Sequence, residues 1–301
     1  MLPFFLSCDW GTTALRLQWV KVPELKVLHS IHLNDSGLGQ LNLSADEKKE
    51  LLDRQLQLLI KEASGPADAP CIVSGMASST IGIRELPYGT LPLTLSTFKI
   101  PYRKLEENVY LVSGIAGEED VMRGEEVQIL GAAQSLNGQR TLVILPGTHS
   151  KHATLEDNAM TFFKTYLSGE LFALLRQHSI LRHSLPEVPD ESIDFSAFQD
   201  GLNASKGELL NTLFTIRARQ LLQGKDPGYN HNFLSGLLIG TELQGLSHQT
   251  ASQVLLIADG TLATLYQHAL SFLFSKVSVH LFSTEEATIL GHYQLVKTIN
   301  V

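Results

Sequence analysis

Two stretches far apart in the chain share a pattern that few folds accommodate. Residues 4–9, FFLSCD, run into Trp10-Gly11-Thr12-Thr13, after which Leu15, Leu17 and Trp19 alternate with Arg16, Gln18 and Val20. Residues 141–145, TLVIL, run into Pro146-Gly147-Thr148-His149 and then into SKHATL. An apolar run, a glycine turn and a returning run predict a β-hairpin, whereas a βαβ nucleotide-binding unit turns from strand to helix. Glycine lets a ligand approach the backbone at such a tip, where successive amides satisfy phosphate oxygens. The expectation is that the two tips clasp the phosphates of one nucleotide between two similar domains. Thr12, Thr13 and Thr148 add hydroxyl donors, and Arg16 and Lys151 add positive charge. Asp9, at the end of the first strand, suits the water shell of Mg²⁺, which keeps waters and meets few protein oxygens.

The remaining pattern fits an α/β chain. SADEKKELLDRQLQLLIKEAS predicts an amphipathic helix with Ser44 as its cap, Glu47 completing a capping box and Leu51, Leu52, Leu56 and Leu59 as its stripe. Gly65-Pro66 terminates it. APCIVSG and ENVYLV read as strands, STIGIRELPYGTLPLTL as a loop-rich segment, EEVQILGAAQSL as a helix and NGQR as a break. The second half gives three strands, three helical segments (GELFALLRQHSIL, GELLNTLFTIRARQLLQ and HNFLSGLLIGTELQGL), then two strand–helix pairs beginning at QVLLIADG and KVSVHLFS. The break places domain one at residues 1–139 and domain two at 140–301, with the last helix allowed to pack back on domain one.

Composition narrows the function. A 301-residue chain with 44% hydrophobic residues can fill two cores. A net charge of -8, from 31 acidic and 23 basic side chains, argues against nucleic acid as a partner. No run is long enough to cross a bilayer and MLPFFLS lacks a basic leader, so a cytoplasmic protein is expected, in which the sequons at Asn34, Asn42 and Asn203 are without meaning. Cys8 and Cys71, inside apolar runs, read as buried thiols in a reducing compartment. His149 and His152 lack the further ligands of a zinc site. Walker, G-x-G-x-x-G, H-E-x-x-H and G-x-S-x-G motifs are absent. Nothing in the sequence speaks for or against an oligomer; the apolar FLSGLLIG segment reads as a core helix.

The most unusual stretch is EEDVMRGEEVQILG, with five carboxylates around Arg123. Asp120, Glu125 and Glu126 each suit a general base for a sugar hydroxyl. The same charges equally suit an acidic surface loop leading into a solvated helix.

DWGTTALR, VSGMASS, ELPYG, DVMRGEEVQILGA, LPGTHSK, SGELFALLRQHSIL, LFTIRARQLL and FLSGLLIGTEL, in that order, resemble the 2-dehydro-3-deoxygalactonokinase family. That family looks like a branch of the sugar kinase, hexokinase and actin superfamily. The resemblance implies two ribonuclease H-like domains around a central cleft, with ATP and Mg²⁺ as cofactors and a small sugar acid as partner. It implies Asp9, Gly11, Thr12 and Thr13 as the first phosphate loop. Gly147, Thr148, His149, Ser150 and Lys151 form the second, and Asp259, Gly260 and Thr261 stand on the adenosine side. Met76, Ser78, Glu85 and Tyr88 look like the sugar-acid side, with Arg16, Arg84 and Arg123 as cations for its charged end. Matching Gly131 to the glycine that closes the family's helix favours Glu125 as base, with Asp120 and Glu126 as rivals. The implied reaction phosphorylates the 6-hydroxyl of 2-dehydro-3-deoxy-D-galactonate. Departures at Ala14 and His152 leave open a kinase for another keto-deoxy or aldonic acid, and a nucleotide-binding regulator without turnover is the alternative of a different class.

Overall fold

The opening apolar run and its return form β1 (Phe4–Trp10) and β2 (Leu15–Lys21), antiparallel, with Asp9 opposite Arg16. The computed structural model describes residues 3–97, 99–134, 136, 139–185, 193–246 and 253–299. Contacts divide the chain into unit 1, made of Met1–Gln139, Leu155–Phe163 and Ser283–Val301, and unit 2, made of Arg140–Thr154 and Lys164–Phe282.

In unit 1, β3 (Lys26–Leu33) completes a meander, and α1 (Ala45–Ala63) follows. The capping box is present: Glu47 N donates to Ser44 Oγ at 3.3 Å and Ser44 N to Glu47 Oε2 at 2.8 Å. Leu52, Leu56 and Leu59 are its buried face, packed on Leu6, Cys8, Trp10, Leu15, Leu17 and Trp19. The helix ends at Ser64 in the left-handed region, one residue before the expected glycine. β4 (Cys71–Gly75) lies parallel to β1, and β6 (Val109–Val112) lies parallel to β4 and pairs with β5 (Tyr102–Glu106). The sheet order is β3-β2-β1-β4-β6-β5. A three-strand meander followed by two strands parallel to the first is the ribonuclease H-like arrangement. Its other face carries α2 (Glu125–Ala133) and α8 (Thr284–Thr298), which pack on each other. There the buried His292 lies between Ser7 Oγ (2.8 Å from Nδ1) and Ser74 Oγ (2.9 Å from Nε2). Burial pushes its pKa down to about 3, so the ring is neutral.

In unit 2 the same order returns. The strands are β7 (Thr141–Leu145), β8 (Ser150–Glu156), β9 (Ala159–Tyr166), β10 (Gln253–Ile257) and β11 (Ser278–Phe282), arranged β11-β10-β7-β8-β9 with β7, β10 and β11 parallel; residues 155–163, the end of β8 and most of β9, group with unit 1. α3 (Ser168–His178), α4 (Phe195–Ala204), α5 (Leu209–Gln223) and α6 (Pro227–Leu243) stand between β9 and β10, and α7 (Gly260–Leu273) between β10 and β11. One core joins Leu142, Ile144, Val254 and Leu256 of the sheet to Phe198, Leu202, Ile239, Leu243 and Tyr266 of the helices. A second lies among the helices, around Leu213, Ile216, Phe233 and Leu237. FLSGLLIG is a core helix segment, buried except at Ser235. Of the expected NGQR break, Asn137 and Gly138 lie outside the described residues. Among those described, no helix is long and apolar enough to cross a membrane.

Candidate active site

The first tip is built from its own backbone. Gly11 N donates to Ala14 O at 3.0 Å, closing the turn, and Leu38 N and Gly39 N donate to Gly11 O and Thr12 O at 3.0 Å each. Trp10 Nε1 donates to Ser36 O at 2.8 Å. Thr12 and Thr13 stay exposed. Their side chains are therefore available while the residues 36–39 loop holds the main chain.

Asp9 sits beside that tip, where β1 meets the end of β4. Gly75 (φ 84°) and Gly124 (φ 109°) both occupy the region that favours glycine. A Cβ at Gly75 would come within 2.6 Å of Trp10 O and 3.4 Å of Asp9 Oδ1, and one at Gly124 within 3.3 Å of Gly75 Cα. This close approach brings the start of α2 up to Asp9. Burial raises the Asp9 pKa, Arg16 opposes the rise and the Glu125 charge adds to it.

The neighbouring carboxylates differ. Glu125 is partly exposed, and Arg123 N donates to its Oε2 at 3.0 Å. Glu126 is buried, and its Oε2 accepts from Gly124 N at 2.7 Å. Burial, followed by repulsion from Glu125, pushes Glu126 up to about 8, against the pull of backbone amides and Arg123. The raised value favours the protonated form of Glu126, whose Oε2 is already engaged by a backbone amide. Asp120 shapes its own turn: Oδ1 accepts from Val121 N at 2.7 Å and its carbonyl from Gly117 N at 2.8 Å.

Arg123 joins this cluster to the residue 76–89 segment. Its Nη1 donates to Ser78 O (2.7 Å) and Ser78 Oγ (2.6 Å), and its guanidinium lies 4.2 Å from the centre of the Tyr88 ring. Its Nε is buried and finds no acceptor. Met76 opens the short turn Met76–Ser78 and is half-buried, whereas Arg84 and Glu85 are exposed. Arg16 Nε donates to His32 Nε2 at 3.2 Å.

The second tip has Gly147, Thr148 and His149 at least partly open, while Ser150 and Lys151 turn inward. Lys151 is buried, and its Nζ donates to His149 O at 3.3 Å. His149 Nε2 meets Glu170 Oε2 at 2.5 Å, and His152 Nε2 meets Glu242 Oε1 at 2.7 Å, so the two histidines turn to different acids. A cavity of about 410 Å³ within unit 2 is lined by Gly147, the first turn of α3, Phe172, Arg176, α6 and the start of α7 at Asp259 and Thr261. Two helix N-termini open on it, an arrangement suited to anionic groups. It brings the predicted Gly147, Asp259 and Thr261 to one place, with Gly260 (φ 57°) at the mouth of α7.

The sequence reading passed over Ser168, Gly169, Arg176, Tyr266 and Glu242. The available signal was Glu242, the one charged side chain of its helix, following the apolar stretch at residues 236–240, since a buried acid demands donors.

Two ribonuclease H-like sheets, each with a glycine-containing hairpin tip after its first strand, define the fold shared by actin-like ATPases and sugar kinases. The chain belongs to the 2-keto-3-deoxy-galactonokinase family, whose sequence model matches residues 9–295. It is 34% identical over 281 residues, 89% of each chain, to a protein of Rhizobium meliloti (strain 1021) provisionally named 2-dehydro-3-deoxygalactonokinase. It is 29% identical over 272 residues, 88% of each chain, to 2-dehydro-3-deoxygalactonokinase of Escherichia coli (strain K12). A crystal structure from Sinorhizobium meliloti, provisionally described by the same name, superposes with a TM-score of 0.86 at 31% identity and covers 98% of this chain and 99% of that one. A xylulose kinase from Lactobacillus acidophilus shares the fold alone, with a TM-score of 0.52 at 10% identity over 99% of this chain and 90% of that one.

Proposed function

We propose that this chain transfers the γ-phosphoryl group of ATP to the 6-hydroxyl of 2-dehydro-3-deoxy-D-galactonate, giving the 6-phosphate and ADP. Family membership supports the reaction class. The observation that carries the mechanism is Glu125, partly open beside Asp9, next to a Glu126 that is buried, raised in pKa and engaged by backbone amides.

In this reading the tips at Asp9–Thr13 and Gly147–Lys151 each bind phosphate, and the unit 2 cavity takes the adenosine end of ATP. Glu125 receives the proton of the 6-hydroxyl as the oxygen attacks the γ-phosphorus, and the bond from that phosphorus to the bridging oxygen of ADP breaks. Mg²⁺ accompanying ATP would fit at Asp9, a part-buried carboxylate raised first by burial and then by the Glu125 charge, because a cation would relieve both and neutralise phosphate charge. Arg123, held by Ser78 and Tyr88 with Nε still to be satisfied, faces the acid end of the substrate, with Arg84 and Arg16 as further cations. Met76, Glu85 and Tyr88 border the sugar. Such chemistry, fed by ATP, belongs in the cytoplasm.

A coupled assay of ADP release over a panel of keto-deoxy and aldonic acids tests this. The highest kcat/KM is expected with 2-dehydro-3-deoxygalactonate. A different best acid would transfer the assignment to that acid, and tight ATP binding with no turnover on any acid would leave a nucleotide-binding regulator.

A further inference from the structure

Glu242 sits in the last turn of α6, 2% exposed, and its carboxylate is the centre of a network that the phosphoryl transfer itself does not use. Oε1 accepts from Ser150 Oγ and His152 Nε2, both on β8, at 2.7 Å each. Oε2 accepts from Ser168 Oγ at the start of α3 and from Tyr266 Oη of α7 at 2.7 Å. Four donors saturate the lone pairs of one carboxylate. Burial alone would raise its pKa, yet the donors, with His152 foremost, hold it below the ordinary value.

Stability alone does not call for such a group. Four polar side chains converging on a buried charge are no more stabilising than apolar residues of the same volume, because desolvation offsets the attraction. What distinguishes Glu242 is which elements its donors belong to. Ser150 and His152 leave the Gly147 tip, Ser168 opens α3, and Tyr266 lies on the helix that begins at Asp259. Gly147, Ser168, Asp259 and Tyr266 all line the unit 2 cavity. The tip and α3 also touch directly: Glu170 N donates to Thr148 O at 3.0 Å, and a Cβ at Gly169 would lie 2.4 Å from Gly147 O. That contact leaves no slack, so a small shift of α3 moves the tip.

We infer that Glu242 is a positioning residue that anchors the Gly147 tip and the N-terminus of α3 to α7, so that tip and N-terminus form one pre-formed rim for the polyphosphate of the nucleotide. It touches no ligand and acts through Ser150, His152, Ser168 and Tyr266. The inference rests on the proposal that the Gly147 tip binds the phosphates of ATP and this cavity its adenosine end. It adds that affinity for the phosphates, and not for adenosine, depends on this acid, since only oriented amides and helix ends at the rim meet phosphate.

The test uses the full chain with Glu242→Gln and, as a gentler variant that removes one arm of the network, Ser168→Ala. Two quantities are read: amide hydrogen exchange at residues 147–151 and 168–171, and the ratio of ATP to adenosine affinity by calorimetry. In Glu242→Gln both segments should exchange faster while the unit 1 sheet is unchanged, and the ATP-to-adenosine ratio should fall about tenfold or more. Ser168→Ala should loosen 168–171 and lower the ratio less. Unchanged exchange in both segments, or ATP and adenosine affinities falling in proportion, would overturn the inference. Wild-type protein that binds no ATP would instead defeat the kinase reading, and the exchange data alone would then decide the role of Glu242.

Discussion

Glu126 in unit 1 and Glu242 in unit 2 are almost equally buried, at 1% and 2% exposed, yet their pKa values are displaced in opposite directions. Glu126 has backbone amides for partners and a second acid beside it, and it keeps its proton up to about pH 8. Glu242 has two serines, a histidine and a tyrosine, and it stays ionised. Depth therefore does not decide the charge of a buried acid; the donors arranged around it do. In the unit 1 site the same rule separates two neighbours, Glu125, partly open beside Asp9, and Glu126, buried with its pKa raised.

The largest expected effect comes from deleting the ionised acid. Glu242→Ala leaves four donors without an acceptor, and unfolding in urea should show a loss of about 3–5 kcal/mol. A loss below about 1 kcal/mol would mean that the network contributes as little as exposed ion pairs do.

Glu126→Gln should act through pH. Between the ordinary carboxyl value of 4.5 and about 8, native Glu126 holds a proton that the unfolded chain has released. Stability should therefore fall as pH rises through that window, by at most roughly 1.4 kcal/mol per unit. The neutral amide should flatten this slope while leaving the fold intact. Glu242 works with the other sign: its stabilisation is present above its ordinary value of 4.5 and is lost as pH falls through the lowered folded value. Chemical denaturation across pH 4–9 separates the two, and identical slopes in wild type and Glu126→Gln would remove the contrast.

The smallest effect belongs to a buried polar contact with no formal charge. Ser74→Ala removes the partner of His292 Nε2 and should cost about 1–2 kcal/mol at neutral pH. A cost equal to that of Glu242→Ala would show that charge plays no special part in either unit.

The elements that carry chemistry were largely legible in the sequence. The hairpin at Gly11 follows from alternation at Leu15, Leu17 and Trp19, and the cap of α1 from Ser44 and Glu47, because both signals are local. β3 and α4 were not read. On β3 the apolar face of Val27, Ile31 and Leu33 is broken by His29 and only partly buried at the sheet edge, and α4 owes its burial to α6, a partner distant in sequence. The trio of Asp120, Glu125 and Glu126 could be named but not separated, since Gly75 and Gly124 bring α2 to Asp9 only in three dimensions. The roles of Glu242 and Tyr266 stayed hidden for the same reason. Their donors and acceptors come from β8, α3, α6 and α7, and no spacing along the chain announces such a meeting.

The most direct measurement is ADP release with saturating ATP and sugar acid, compared between Glu125→Gln and Glu126→Gln. Glu125→Gln should lose about 10²–10⁴-fold in kcat while still binding ATP, and Glu126→Gln should keep turnover near wild type at neutral pH. Turnover retained by Glu125→Gln and lost by Glu126→Gln would contradict the assignment of the open acid as base.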